Sequence, residues 1–280
     1  MEKLITLEKV TKAYGSKNIL NNINLDIFKD QLLAVIGPNG TGKSTLLRII
    51  SGLSRVSSGR RIIYSKNEEL KIGYVPDRFP KLNFTPKEYL FYMGKLQGLS
   101  EKFIEDREKE LFKTFNMESM KDTRIKYLSK GTIQKVSVMQ AVMVEPDMLL
   151  LDEPISGQDS ESEKSFISMI EQFRKKKIAI VLACHEMYLV EKLADRVINI
   201  KNGEIESDED KKQSKTYMKI CFSLDSSIDM KLENVIDKYV EKGCTSILVN
   251  KDFSDAAILN LINLGASIVS VNLHRGEKID

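Results

Sequence analysis

The sequence predicts an α/β fold, because three stretches of the chain read in the same way. Residues 32–36, Leu-Leu-Ala-Val-Ile, are an apolar run of strand length. They lead through Gly-Pro-Asn-Gly-Thr-Gly-Lys-Ser at 37–44 into Thr-Leu-Leu-Arg-Ile-Ile at 45–50, which has helical composition. Residues 148–151, Met-Leu-Leu-Leu, are a second apolar run and end in Asp152-Glu153-Pro154. Residues 178–184 are a third and end in His185. Runs this short and this apolar fit strands buried in an α/β sheet.

The first of them carries a complete phosphate-binding loop in the context such a loop needs, between strand and helix. Gly37, Gly40 and Gly42 let the backbone curl so that successive N–H groups face phosphate oxygens, and the helix offers its positive end to the same anion. Pro38, Asn39 and Thr41 complete the loop. Lys43 is placed to reach the outer phosphates, and Ser44, followed by Thr45, to hold Mg²⁺ through its hydroxyl. These residues imply a bound nucleoside triphosphate. At the end of the second strand, Asp152 is placed to orient the metal and Glu153 to polarise an attacking water as general base. A turn-forming Asp-Glu-Pro after any buried strand is the plain alternative, and the phosphate loop in the same chain weighs against it.

Composition narrows the remaining classes. With 280 residues, 42% of them hydrophobic, the chain has enough apolar mass for one large domain or two. Its 43 basic and 40 acidic residues nearly cancel, so nothing marks a nucleic-acid binder. Met1-Glu2-Lys3-Leu4 carries no apolar signal segment, and the run 178–184 is far too short to cross a bilayer. A membrane role therefore needs a partner. Cys184, Cys221 and Cys244 lie far apart without metal-ligand spacing, which suits reduced cytosolic thiols. Cys184 beside His185 could suggest a thiol nucleophile, but a buried strand cysteine is the simpler reading.

Residues 127–136 read Tyr-Leu-Ser-Lys-Gly-Thr-Ile-Gln-Lys-Val, and here the chain resembles the ATPase subunits of ATP-binding-cassette (ABC) transporters. Leu128-Ser129-Lys130-Gly131-Thr132 stands in the place of the family's Leu-Ser-Gly-Gly-Gln signature, and Gln134-Lys135-Val136 follows as the family's Gln-Arg-Val does. The register continues through Ala141 and Pro146 to Asp152-Glu153-Pro154. The resemblance implies an α/β P-loop NTPase cassette of the ABC type, with a core α/β subdomain, an antiparallel β subdomain and a helical subdomain. It implies ATP and Mg²⁺ as ligands and ATP hydrolysis as the activity. Tyr14 matches the aromatic that stacks on adenine, and His185 the switch histidine at the γ-phosphate, which joins Lys43 and Glu153 as a catalytic residue. Ser129 is a good helix N-cap and Gly131 leaves the first turn bare, giving another helix end suited to phosphate. In the family this end faces the nucleotide of the opposite subunit. Ile155-Ser156-Gly157-Gln158-Asp159 stands where the family has its inter-subunit loop, and residues 194–198 and 201–204 where it has a closing strand pair and turn.

Two positions depart from the family pattern. Asp77 replaces a glutamine; it keeps an oxygen ligand but is shorter, charged and without an amide donor, and it is counted with Ser44 and Asp152 at the metal. Lys130 and Thr132 replace glycine and glutamine in the signature. Lys130 is expected either to add positive charge near a partner's nucleotide or to point into solvent.

The organisation read from the chain is an ATPase domain over 1–205, a linker over 206–215 and a small C-terminal α+β appendage over 216–280. Short strands are expected up to residue 77, one of them near 61–64. The insert at about 78–145 is helical in pattern: Thr85-Pro86-Lys87-Glu88 forms a capping box, Leu90, Met93, Leu96 and Gln97 follow at helical spacing, and a second helix covers 101–115. Phe79, Phe84, Tyr89, Phe91 and Tyr92 either line a docking groove or form that subdomain's core. The stretch 206–215 is charged and poor in apolar residues. Beyond it, strands are expected at 219–224, 245–249 and 267–273 and a helix at 255–262, with His274 an exposed residue just past the last strand.

The resemblance implies a cytoplasmic ATPase held on the inner face of the membrane by a separate integral membrane permease. It would pair with a second ATPase subunit, as a homodimer or with a paralogue, and bind no nucleic acid. The short C-terminal extension resembles those of exporter ATPases, so export is expected and import is the alternative. A soluble ABC-type ATPase outside transport and a low-turnover nucleotide-gated immunity or regulatory module are the rivals from other classes. The transported substrate is not legible, since the permease recognises it.

Overall fold

Short apolar runs and the turns between them build two compact units, Met1–Glu209 and Asp210–Asp280. The computed structural model describes residues 2–64, 70–155, 160–210, 217–223, 235–241 and 244–274. The first unit begins with β1 (Lys3–Tyr14), β2 (Lys17–Phe28), β3 (Leu32–Ile36), α1 (Lys43–Ser51), β4 (Ser58–Ile63) and β5 (Ile72–Val75). Three helices follow, α2 (Pro86–Leu96), α3 (Glu101–Thr114) and α4 (Lys130–Ala141). The chain then alternates through β6 (Met148–Asp152), α5 (Ser160–Lys175), β7 (Ala179–Ala183), α6 (Met187–Leu193), β8 (Arg196–Lys201) and β9 (Glu204–Asp210).

Two sheets share this unit, one in the order β2-β1-β4 and one in the order β5-β6-β7-β3-β8-β9. In the larger sheet β5, β6, β7, β3 and β8 run parallel, so their carboxyl ends lie along one edge. Its central strands β3, β6 and β7 are apolar on both faces because both faces are covered. Leu33 and Val35 of β3 join the core formed with β1, β2 and α1, while Leu32 and Ala34 join the core formed with the helices on the other side. The antiparallel strands β1 and β2 are twelve residues each, longer than expected, and register shifts along them absorb the extra length.

The start of β3 is held by a buried carboxylate. Leu32 donates its N–H to Asp195 Oδ2 at 2.9 Å, and Arg174 donates to Oδ1 at 2.8 Å. The helical insert has its capping box: Glu88 N–H donates to Thr85 Oγ1 at 3.1 Å, and Thr85 N–H to Glu88 Oε2 at 2.8 Å. Leu90 is buried, whereas Leu96, at the same helical spacing, is 81% exposed. It lies at the last residue of α2, and the contact with α3 is made instead at Gly94, where a Cβ would stand 2.7 Å from Ile104.

The structure corrects the linker. Residues 206–210 are part of β9, because β8 neutralises their charge: Arg196 Nε donates to Asp208 at 2.6 Å, and Lys201 to Glu206 at 2.7 Å. Residues 211–215 lie outside the described residues. In the second unit β10 (Tyr217–Ser223), β11 (Val235–Glu241), β12 (Cys244–Asn250), α7 (Ser254–Asn263) and β13 (Ser267–His274) form one antiparallel sheet, β11-β12-β10-β13, with α7 on the face of Ile220, Phe222, Ile247 and Val249. β11 was not foreseen. His274 lies within β13, paired with Tyr217, rather than beyond the strand; its expected exposure falls outside the described side chains.

One core position is poised to titrate. Glu108 of α3 is 4% exposed, its Oε1 has no hydrogen-bond partner among the described residues, and burial pushes its carboxyl up to about 7. The folded value lies above the ordinary one, so the protonated form is fully tolerated below the ordinary carboxylate range, and stability is lost as pH rises through about 7. Glu108→Gln, which stays neutral, should match the parent near about pH 4 and be the more stable chain near about pH 8. Urea midpoints at the two pH values read this, and an equal offset at both would remove the assignment.

Candidate active site

The carboxyl edge of the larger sheet collects the predicted residues. The loop after β3 needs its glycines for space as well as conformation. Gly37 has φ 145°, and a Cβ there would stand 2.3 Å from Ile200 O; Gly42 has φ 107°, and a Cβ would stand 2.7 Å from Leu20 Cδ2. Gly42 is the N-cap of α1 and offers no side-chain acceptor, so the first N–H groups of that helix have no capping side chain. Thr41 Oγ1 donates to Pro38 O at 2.9 Å and stiffens the curl.

Lys43 is only 6% exposed. Its ammonium donates to Gly37 O at 2.7 Å and Pro38 O at 3.4 Å, and pairs with Glu153 Oε1 at 3.3 Å. The next residue, Ser44, donates its hydroxyl to Asp152 Oδ1 at 2.9 Å, and Tyr74 donates to Oδ2 at 3.2 Å. Burial raises the pKa of Asp152, and these two hydrogen bonds oppose the rise. Burial and the adjacent Asp152 charge push the Tyr74 phenol up to about 12. A serine hydroxyl beside an acceptor-only carboxylate is a donor set for a hard divalent cation such as Mg²⁺. The glycine cradle and the buried ammonium likewise fit a triphosphate.

Glu153 follows β6 in the left-handed region, φ 48°, with its N–H donated to Ala183 O at 2.9 Å. That conformation is strained for a residue with a side chain. It presents the carboxylate between Lys43 and His185. His185 Nδ1 lies 2.7 Å from Oε2, whereas the buried Oε1 faces the Lys43 ammonium at 3.3 Å as an ion pair and accepts no hydrogen bond among the described residues. One oxygen is engaged by the imidazole and the other by the charge of the lysine. His185 itself is 52% exposed, and its Nε2 lies 3.4 Å from Glu186 Oε1. Cys184 is fully buried, and burial, followed by the charges of Glu186 and Glu153, pushes its thiol up to about 12. It stands one residue past β7 rather than in the strand, and it is a buried thiol, not a nucleophile.

Part of this set borders a cavity of about 660 Å³, within the range of small-ligand sites, while Gly37, Pro38, Thr41 and Asp152 lie behind its lining. Tyr14, Asn39, Gly40, Gly42, Lys43, Ser44, Thr45, Asp77, Glu153 and His185 all line it. Tyr14 is half exposed, with Lys12 Nζ 4.8 Å from its ring centroid. Asp77 pairs with Arg78 at 3.7 Å. Two cations that sequence reasoning did not place here, Arg78 and Lys130, line the same cavity. Lys130 is exposed, as one of its two expectations had it, and it borders its own chain's cavity. Tyr74 was also missed; only its place in the strand before Asp77 could have signalled it.

Ser129 and Gly131 do not line this cavity. Ser129 caps α4, its Oγ accepting from Thr132 N at 3.2 Å, and Gly131 borders a separate cavity of about 420 Å³ beside α5. Asp159 and the rest of 156–159 lie outside the described residues.

The family description "ABC transporter" matches residues 20–156. The zinc import ATP-binding protein ZnuC of Rickettsia conorii is 35% identical over 72% of this chain and 84% of its own length. The uncharacterized ABC transporter ATP-binding protein YxlF of Bacillus subtilis is 30% identical over 98% of this chain and 92% of its own length. Among solved structures, the dimeric ATP-binding cassette MJ0796, in a post-hydrolysis state bound to ADP and Pi, superposes with a TM-score of 0.66. It is 25% identical over 74% of this chain and 98% of that one.

Lys43→Ala removes the one buried ammonium of the loop. It should weaken triphosphate binding at least about tenfold, the loss expected for one charge-assisted contact. Equilibrium dialysis with a labelled triphosphate measures this, and unchanged affinity would count against the loop as the binding site.

Proposed function

The chain belongs to the ABC transporter family as an ATP-binding subunit, and from that premise we propose that it drives a separate membrane permease by hydrolysing ATP in the cavity above β3 and β6. Members of this family bind ATP with Mg²⁺ and hydrolyse it. The observation that carries the reading is the divided Glu153 carboxylate, Oε2 on His185 and Oε1 buried against the Lys43 ammonium without a hydrogen bond.

On this reading the loop N–H groups and the Lys43 ammonium hold the outer phosphates, and the Tyr14 ring stacks on the adenine. Ser44 and Asp152 hold Mg²⁺, with Asp77 adding a carboxylate at the cavity wall. When bound there, Mg²⁺ would supply positive charge that offsets the charge developing on the phosphate oxygens. Glu153 Oε1 accepts a proton from the attacking water, while His185 fixes the carboxylate and reaches the terminal phosphate. Ser129 and Gly131, which stand apart from this cavity, face the nucleotide of a second subunit, so two chains complete each site. Dimer closure on ATP moves the permease, and hydrolysis reopens it.

No helix among the described residues is long and apolar enough to cross a membrane. The permease is therefore proposed as the membrane anchor, with this subunit on the cytoplasmic face. The one relative above whose name states a direction is a zinc import protein, so the expectation of export finds no support from it, and import is the direction we propose. Export is the second reading, because the named importer does not account for the whole chain. The match to ZnuC spans 72% of this chain, whereas the match to YxlF, whose name states no direction, spans 98%. Transport assays with the purified complex in vesicles separate the two.

Glu153→Gln should bind ATP about as well as the parent and turn it over at least about 100-fold more slowly. A steady-state phosphate-release assay beside the binding measurement tests this; near-normal turnover would end the general-base assignment. Purification of the tagged chain from native membranes in mild detergent tests the rest. A multi-span membrane protein in equal amount is expected, and recovery of soluble partners alone would end the transport reading.

A further inference from the structure

Cys221 and Cys244, 23 positions apart in sequence, meet in the second unit with their Sγ atoms 2.7 Å apart. Strand register puts them there. β10 and β12 pair with Cys221 opposite Ser246 and Phe222 opposite Thr245, so Cys244 is the diagonal neighbour of Cys221 on the same face. That face is the one away from α7, since Ile220, Phe222, Ile247 and Val249 carry the α7 core on the other. Both thiols are reduced in this structure. A sulfur–sulfur bond of about 2.05 Å is reached by a movement of less than about 1 Å.

We propose that Cys221 and Cys244 are a modification site, a dithiol that closes reversibly to a cross-strand disulfide when it meets a small-molecule disulfide of the glutathione type. Cys221 is buried and Cys244 half-buried, which sets the order of events. The Cys244 thiolate attacks one sulfur of the small disulfide and expels the other half as a thiolate, which takes up the proton Cys244 gave up. The Cys221 thiolate then attacks Cys244 Sγ and expels the second half in the same way. Two protein thiols are oxidised by two electrons, and one small disulfide is reduced to two thiols. The closed ring contains β11, an edge strand of the sheet, so oxidation ties the order β11-β12-β10 covalently. This proposal is independent of the ATPase reading.

The full-length chain equilibrated with graded mixtures of reduced and oxidised glutathione, acid-quenched, alkylated and digested, tests it by mass spectrometry. The expected result is one linked peptide pair, Cys221 to Cys244, that grows as the mixture becomes more oxidising and disappears with dithiothreitol. Cys184, buried in the first unit, stays fully alkylatable after denaturation in every mixture. In Cys244→Ser the linked pair is absent, and Cys221 takes up glutathione at least about tenfold more slowly than the parent forms the link. Separate glutathione adducts on the two cysteines of the parent, links only between chains, or full alkylation of both in every mixture would overturn the proposal. An undiminished rate at Cys221 in Cys244→Ser would overturn the order of attack.

Discussion

The Lys43 ammonium is the constraint on which the active site turns. At 6% exposure it has lost most of its water, and a charge buried without partners is costly by several kcal/mol. The chain meets that cost with two carbonyl acceptors, Gly37 O and Pro38 O, and an ion pair with Glu153 Oε1. Two of the three need an unusual backbone. Gly37 turns its carbonyl inward from φ 145°, which the nearby Ile200 O allows only to glycine, and Glu153 reaches Lys43 from a left-handed φ of 48°. Loop curl, strained base and buried lysine therefore stand or fall together.

The parallel sheet makes that arrangement possible. Val35 and Asp152 both stand opposite Ala183, so the ends of β3, β6 and β7 are level, and the phosphate loop, the acids and His185 leave the sheet side by side. Slipping one strand by a single residue would send each of its side chains to the opposite face. Asp195 guards against such a slip at the start of β3, where it accepts from Leu32 N–H and from Arg174. A buried carboxylate far in sequence thus helps to fix where the phosphate loop begins.

Sequence reasoning reached those parts of the molecule whose information is local. The glycine loop, the acids ending an apolar run and the Thr85–Glu88 capping box are each set by neighbours within a few residues. What escaped was set by register or by reach. Arg78 and Lys130 line the cavity because loops and helix ends carry long side chains to it, and no spacing rule reports that. Cys221 and Cys244 looked remote because their meeting depends on how β10 pairs with β12. The charged stretch after residue 205 read as linker because its counter-charges, Arg196 and Lys201, sit on a different strand. Leu96 kept the helical spacing but fell on the last residue of α2, where a small residue, Gly94, makes the contact with α3.

The partners of Lys43 also tie substrate binding to readiness of the base. An ammonium has three N–H donors, and three protein oxygens already surround this one. A phosphate oxygen must displace one of them. Gly37 O, at 2.7 Å, is held tightly, whereas Pro38 O at 3.4 Å and Glu153 Oε1 at 3.3 Å are the looser contacts. If Glu153 is the one released, its Oε1 is left buried with no donor among the described residues, which is unfavourable until a donor arrives. On the proposed function that donor is the hydrolytic water. His185 keeps Oε2, so the carboxylate cannot simply swing away to solvent. On the proposed function, the triphosphate that draws off the lysine thereby opens the place at Glu153 that water fills.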